Sequence, residues 1–286
     1  MVVIVGCLVV IGCVLGGFMM SGGQIGALIH PSEIVTIGGA SLGALIIMSP
    51  MKVLKDLFGG LLQLVKGSPY SKAAYMDLFK LFNLLTRTIR REGLISIDGH
   101  ISKPEESPIF QQCPLISKNH HASHFLCNAL ALIVDGKSDA ASLSAGLEEE
   151  IKVIDREHHA AVAALSKVAD ALPGFGIVAA VLGIVVTMGA IDGPVEEIGH
   201  KVGAALVGTF LGILLSYGFF APMAGRMEHL GEEESTFFRC IATGVVAMSQ
   251  GDGPRDVVTR ASRGIGTEVR PTPGDLKTLF NEKEGG

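Results

Sequence analysis

Apolar positions along this chain gather into four windows that contain no ionisable side chain. Residues 1–21, 34–51, 171–191 and 202–225 carry no Asp, Glu, Lys, Arg or His. A helix rises about 1.5 Å per residue, so about 20 residues cross the roughly 30 Å hydrocarbon layer of a bilayer. All four windows fit, 34–51 being the shortest. They predict an all-α membrane protein with four transmembrane helices in two tight pairs. A signal peptide fits the first window poorly, because no basic stretch precedes its apolar run. For 34–51 or 171–191 the alternative is a buried core helix.

Elsewhere the pattern is amphipathic. Ala74, Leu78, Leu81, Phe82 and Leu85 recur at helical spacing and predict a helix over 71–91. It ends in Arg87, Arg90 and Arg91, with Gly93 placed to close it. Cations there suit the helix dipole; they also suit docking of an acidic partner. Asp98 follows, either as the cap of the next segment or as the acidic half of a docking patch. Residues 148–171 read as a charged helix running towards the third window, and 227–248 as a continuation of the fourth. Residues 268–286 have few apolar anchors and are expected to be mobile.

Composition sharpens the picture. Charged residues are 18% of the chain, against about 25% in soluble proteins. This excludes a disordered chain and argues against an ordinary soluble enzyme. Of the 23 Lys and Arg, 14 lie in 52–170, eight in 226–283, and only Lys201 lies between the last two windows. The positive-inside rule then places 52–170 and 226–286 in the cytoplasm, with the loops 22–33 and 192–201 outside and both termini inside. The expected layout is a helix pair, a helical cytoplasmic domain, a second pair and a cytoplasmic C-terminal region.

Candidate chemistry is mostly excluded. A net charge of −5 offers no basic field for nucleic acid. The five cysteines form no CxxC, and His120/His124 or His158/His159 lack a third metal ligand. No P-loop, GxSxG or HExxH occurs, so there is no basis for an enzyme. Ala204, Gly208, Gly212 and Ser216 form a small-residue stripe on the fourth window, suited to close helix packing. Gly176 and Ala180 are read as one face of the third window, Gly183 and Thr187 as another. Proton carriers normally need an ionisable group at membrane depth. None lies inside the windows, so an ion-coupled role needs a carboxylate from another chain. Pro173 is read as the start of the third helix and Pro222 as a kink near the end of the fourth.

At this point the residues resemble a known family. YMDLF at 75–79, Arg90 with an acidic residue at 98, LPGFGIVAAVLGIV at 172–185 and VGTFLGILLSYGFFAPMA at 207–224 are similar to MotA, the A subunit of the bacterial flagellar stator. The resemblance covers nearly the whole chain. It implies an inner-membrane subunit, five copies of which surround the paired helices of MotB, whose Asp binds the ion. Proton flow then turns the ring against the rotor protein FliG. On the same resemblance Arg90 and Asp98 contact FliG, although the family pattern has Glu where this chain has Asp98. Pro173 and Pro222 couple ion binding to conformational change, and Thr209 faces the ion path. Sodium-driven relatives carry Thr at the position of Ala180, so the resemblance implies protons and no cofactor. The alternatives are an ExbB or TolQ type energiser, which resembles the same core with three membrane helices, a solute channel, and a passive scaffold.

Overall fold

The computed structural model describes residues 2–136, 139–189 and 191–281. Among them the regular elements are helical, and four helical stretches are long and apolar enough to cross a membrane: Val2–Met20, Ile25–Met48, Ala140–Met188 and Val195–Ser249. The chain is a multi-pass, all-α membrane protein that divides into two compact units.

The first unit comprises residues 1–67 and 157–230. Helix α1 (Val2–Met20) has no buried residue. Helix α2 (Pro31–Met48) starts with Pro31 in the first helical turn, where a missing N–H costs little. It stops before Pro50, because the residue preceding a proline is pushed out of the helical region: Ser49 is extended at φ −120°, ψ 128°. The window 34–51 is therefore displaced, and its last residue, Met51, opens α3 (Met51–Lys66). The unit continues with the second part of α9 (Ala140–Met188), all of α10 (Val195–Leu215) and the start of α11 (Ala221–Ser249). Its apolar cluster joins Ile37, Leu57 and Leu64 to Leu165, Leu172 and Met227. Lys52 pairs with Glu157, and His158 Nε2 lies 2.8 Å from the Met227 carbonyl oxygen.

The second unit comprises residues 68–156 and 231–286. Helix α4 (Lys72–Glu92) follows the expected amphipathic pattern. Ser71 caps it by accepting from the Ala74 N–H, and Gly93 closes it at φ 90°, a backbone state that favours glycine. Short helices α5 (Asp98–Ser102), α6 (Pro108–Gln111) and α7 (Pro114–Ser117) lead to α8 (His120–Val134), capped by Asn119. The first part of α9, the rest of α11, α12 (Pro254–Ser262) and α13 (Pro273–Asn281) complete it. The core is aromatic: Tyr75 stacks against Phe237 and Phe125 against Phe238, each with ring centroids 5.0 Å apart. Tyr70 donates a 2.8 Å hydrogen bond to Glu234, and burial together with that carboxylate drives its pKa up.

Two expectations need correction. Pro173 does not begin a helix; it lies inside α9, 49 residues long, because the charged stretch before it is helical and runs on without a break. Residues 273–281 are not a loose tail either. They form α13, whose Leu279 is buried in the core and whose Asp275 holds Lys72 at 2.7 Å. Residues 282–286 lie outside the described residues.

Candidate functional site

The seam between α9 and α10 is built by small residues. A methyl group on Gly176 would lie 2.9 Å from the Gly208 carbonyl oxygen, and one on Gly212 would lie 2.6 Å from the Leu172 carbonyl oxygen. A methyl on Gly183 would lie 2.7 Å from Ala205 Cβ. Backbone meets backbone at these levels, which lets dispersion hold the helices together where lipid supplies no hydrophobic drive. Gly176 and Gly183 thus share one face, rather than two. The residue of α10 at the upper level is Ala205, buried, while Ala204 is half-buried. A stripe spaced by four drifts about 40° per step on a 3.6-residue helix, so 205 replaces 204 while Gly208, Gly212 and Ser216 remain buried.

Three residues singled out from sequence flank this seam. Pro173 follows Leu172, whose carbonyl packs on Gly212, and its ring removes the N–H that would bond the Ala169 carbonyl. Ala180 and Thr209 are half-buried; the Thr209 Cα would lie 3.3 Å from a methyl on Gly176. Below the seam, Ser216–Phe220 form a single π turn in which the Ala221 N–H bonds back to the Ser216 carbonyl. Pro222 comes immediately after, as the second residue of α11. The helix therefore changes its hydrogen-bond register at Pro222 and continues, rather than ending near it. Ser216 is 1% exposed and its Oγ has no hydrogen-bond partner.

Arg90 and Asp98 belong to the second unit, at the end of α4 and the start of α5, and both are exposed. Asp98 is itself helical, at φ −56°, ψ −46°, and α5 has no side-chain cap, which removes the capping role. Arg90 reaches towards the start of α12, its Nη1 3.1 Å from where a methyl on Gly253 would sit. Among the described residues neither makes an ion pair, so the two charges are turned to solvent. Elsewhere in the unit, burial pushes the Cys113 thiol up to about 12 and the Cys127 thiol to about 11.

Sequence reasoning missed Glu33. Its charge ends the apolar window, so the residue pattern places it in the 22–33 loop. It is the third residue of α2 and 6% exposed, and its Oε2 has no partner. A methyl on Gly208 would lie 2.5 Å from that oxygen and 3.0 Å from Ala179 Cβ. Pro31, a preferred first residue of helices, was the available signal that the helix starts before Glu33.

Comparison with known proteins adds the following. Residues 4–93 match the family described as Motility protein A N-terminal, and residues 117–239 the MotA/TolQ/ExbB proton channel family. Chemotaxis protein LafT of Vibrio parahaemolyticus is 37% identical over 280 residues, 98% of each chain. Motility protein A of Escherichia coli is 37% identical over 272 residues, 95% of this chain and 92% of its own length. Among solved structures, Campylobacter jejuni MotAB superposes with a TM-score of 0.78 at 18% identity, covering 95% of this chain and 98% of that one. The flagellar MotAB stator complex of Bacillus subtilis gives 0.75 at 22%, covering 94% and 98%.

Proposed function

Because the chain belongs to the motility protein A family, we propose that it is a flagellar stator subunit that couples ion flow through the membrane to rotation. The family is one of ion-channel subunits, not enzymes. The observation that carries the reading is the α9–α10 seam, closely packed and uncharged from 171 to 188 and from 202 to 215. An acid supplied by a second chain completes such a seam for ion conduction, and MotB is that partner. Five copies surround the paired MotB helices in the inner membrane, with both termini and the second unit in the cytoplasm and lipid against the exposed faces of α1. The basic residues of 52–170 and 226–283 support this orientation.

The coupling ion is the proton. Ala180, beside the seam, offers a methyl group where a hydroxyl would be needed to coordinate a dehydrated cation. Each charge that crosses releases about 2.3 kcal/mol per 100 mV, a few times RT. Pro173 and the π turn before Pro222 are the two places where the ladder of helix hydrogen bonds is already interrupted, so they bend at least cost. Thr209 lines the path between them. Arg90 and Asp98 contact the rotor protein FliG. The ExbB or TolQ reading is set aside on the four spans and on relatives that are motility proteins.

Co-expression tests this. The chain is expected to co-purify with a single-span protein bearing an intramembrane Asp, and to support swimming in sodium-free medium. Failure to capture such a partner would overturn the assembly, and swimming abolished by sodium removal would overturn the proton assignment.

A further inference from the structure

Among the described residues, the membrane unit contains one buried acid, Glu33, that the stator mechanism leaves unused. We propose that Glu33 is a second protonatable station on the ion path, taking up the coupling proton beside Ala180 and passing it on towards the partner's carboxylate. This rests on the stator reading above and extends it to a residue of this chain.

The position comes first. Glu33 Oε2 lies over Gly208, where a methyl would approach it to 2.5 Å, and the same point is 3.3 Å from the Ala180 nitrogen. Ala180 precedes the end of α9 at Met188 by eight residues, about 12 Å of helix. Gly208 follows the start of α10 at Val195 by 13 residues, about 20 Å. The carboxyl therefore sits at the depth of the seam, not in a connecting loop. Glycine at 208 leaves the space that the oxygen occupies.

The charge environment comes second. No Asp, Glu, Lys, Arg or His lies in α1, in 171–188 of α9 or in 202–215 of α10, and none follows Glu33 in α2; the titratable groups of α1 are the thiols Cys7 and Cys13. The nearest cation along α10 is Lys201, which pairs with Glu197 at 2.8 Å. One turn before Glu33 stands His30, whose Nδ1 is also buried without a partner. The Glu33 N–H donates to the His30 carbonyl at 3.1 Å. An ionised carboxylate buried without a counter-charge is costly. Hard metal cations require several oxygen ligands, whereas the Ala179 methyl and the Ala180 amide nitrogen are the other near neighbours of the point over Gly208 that this oxygen approaches. A proton needs only one.

The chemistry balances simply. Hydronium gives its proton to the carboxylate and leaves water. The resulting carboxylic acid then gives the proton to a water or to the partner's carboxylate and returns to its ionised form. An acid that changes charge at this depth is a functional residue in most membrane proteins.

Proton uptake by vesicles holding the complete complex with its MotB partner tests the assignment, with Glu33→Gln and Glu33→Asp compared at equal complex content. Glu33→Gln is expected to lower the flux about a hundredfold, the low end for loss of a proton-transfer group. Glu33→Asp is expected to conduct with a shifted pH midpoint. Wild-type flux in Glu33→Gln would overturn the assignment while leaving the stator reading intact. Should Glu33→Gln fail to assemble, an unshifted midpoint in Glu33→Asp would overturn it equally. A wild-type complex that carries no protons at all would instead refute the stator reading and this inference together.

Discussion

The two units of this chain solve the same packing problem with opposite residues. The second unit buries large rings: Tyr75, Phe79, Phe82, Phe110, Phe237 and Phe238 are each under 2% exposed. The membrane unit brings glycines together and leaves its large apolar side chains outside, with Val5, Leu8 and Val9 of α1 more than half exposed. Water explains the first, since burying an aromatic side chain removes much apolar surface from it. Lipid explains the second, since a leucine gains little by leaving hydrocarbon and close backbone approach becomes the main source of contact. A residue's hydrophobicity alone thus says little about its contribution until its solvent is known.

Substitutions can break that contrast. The largest effect is expected from Phe79→Ala, which opens a cavity in the aromatic core and costs about 3–5 kcal/mol. Thermal unfolding of the purified protein should show the loss. Val5→Ala in α1 should leave the transition in place, and equal destabilisation by both would erase the distinction. Next comes Gly212→Val. Its side chain would strike the Leu172 carbonyl and the Gly176 backbone, an overpacking cost of about 1–3 kcal/mol. Reduced complex in membranes is the readout. Gly225→Ala, with nothing within 4 Å of the added methyl, is the matched control.

Charge reversal sharpens the comparison further. Arg90→Glu or Asp98→Lys, both at exposed positions, should change stability by no more than about 0.5 kcal/mol. Either should nevertheless abolish swimming at unchanged membrane level, and a freely swimming Arg90→Glu strain would remove the rotor contact. The smallest effect concerns pH. Lys72 and the Thr272 N–H hold Asp275 down at about 2 from its ordinary 3.8. Stability from a depressed carboxyl is present above its ordinary value and is lost as pH falls through the folded one. The hold on α13 should therefore weaken between pH 3.8 and about 2. Amide exchange in α13 would report it, and Lys72→Met should narrow that pH dependence to the part held by Thr272.

Much of this architecture was legible in residue order. Four uncharged windows, the amphipathic pattern of 71–91 and the Ser71 and Gly93 ends are local properties, because spacing, caps and the absence of charge act within a few residues. The candidate residues at the seam were legible as small residues and prolines. Their partners were not: Gly176 and Gly183 were assigned to different faces, and Ala204 stood in for Ala205, because small drifts in helical phase accumulate along the chain.

The sequence by itself determined that this chain crosses a membrane on helices, which face of α4 is buried, and where helices cannot continue. Hydropathy, periodicity and proline stereochemistry act on neighbouring residues and need no knowledge of what lies across the fold. Only the tertiary structure decided that Glu33, one residue outside an apolar window, lies buried at the level of Gly208 and Ala180. That depth depends on how α2 meets two helices far from it in sequence, and the cost of burying a charge is set by whatever surrounds it in space.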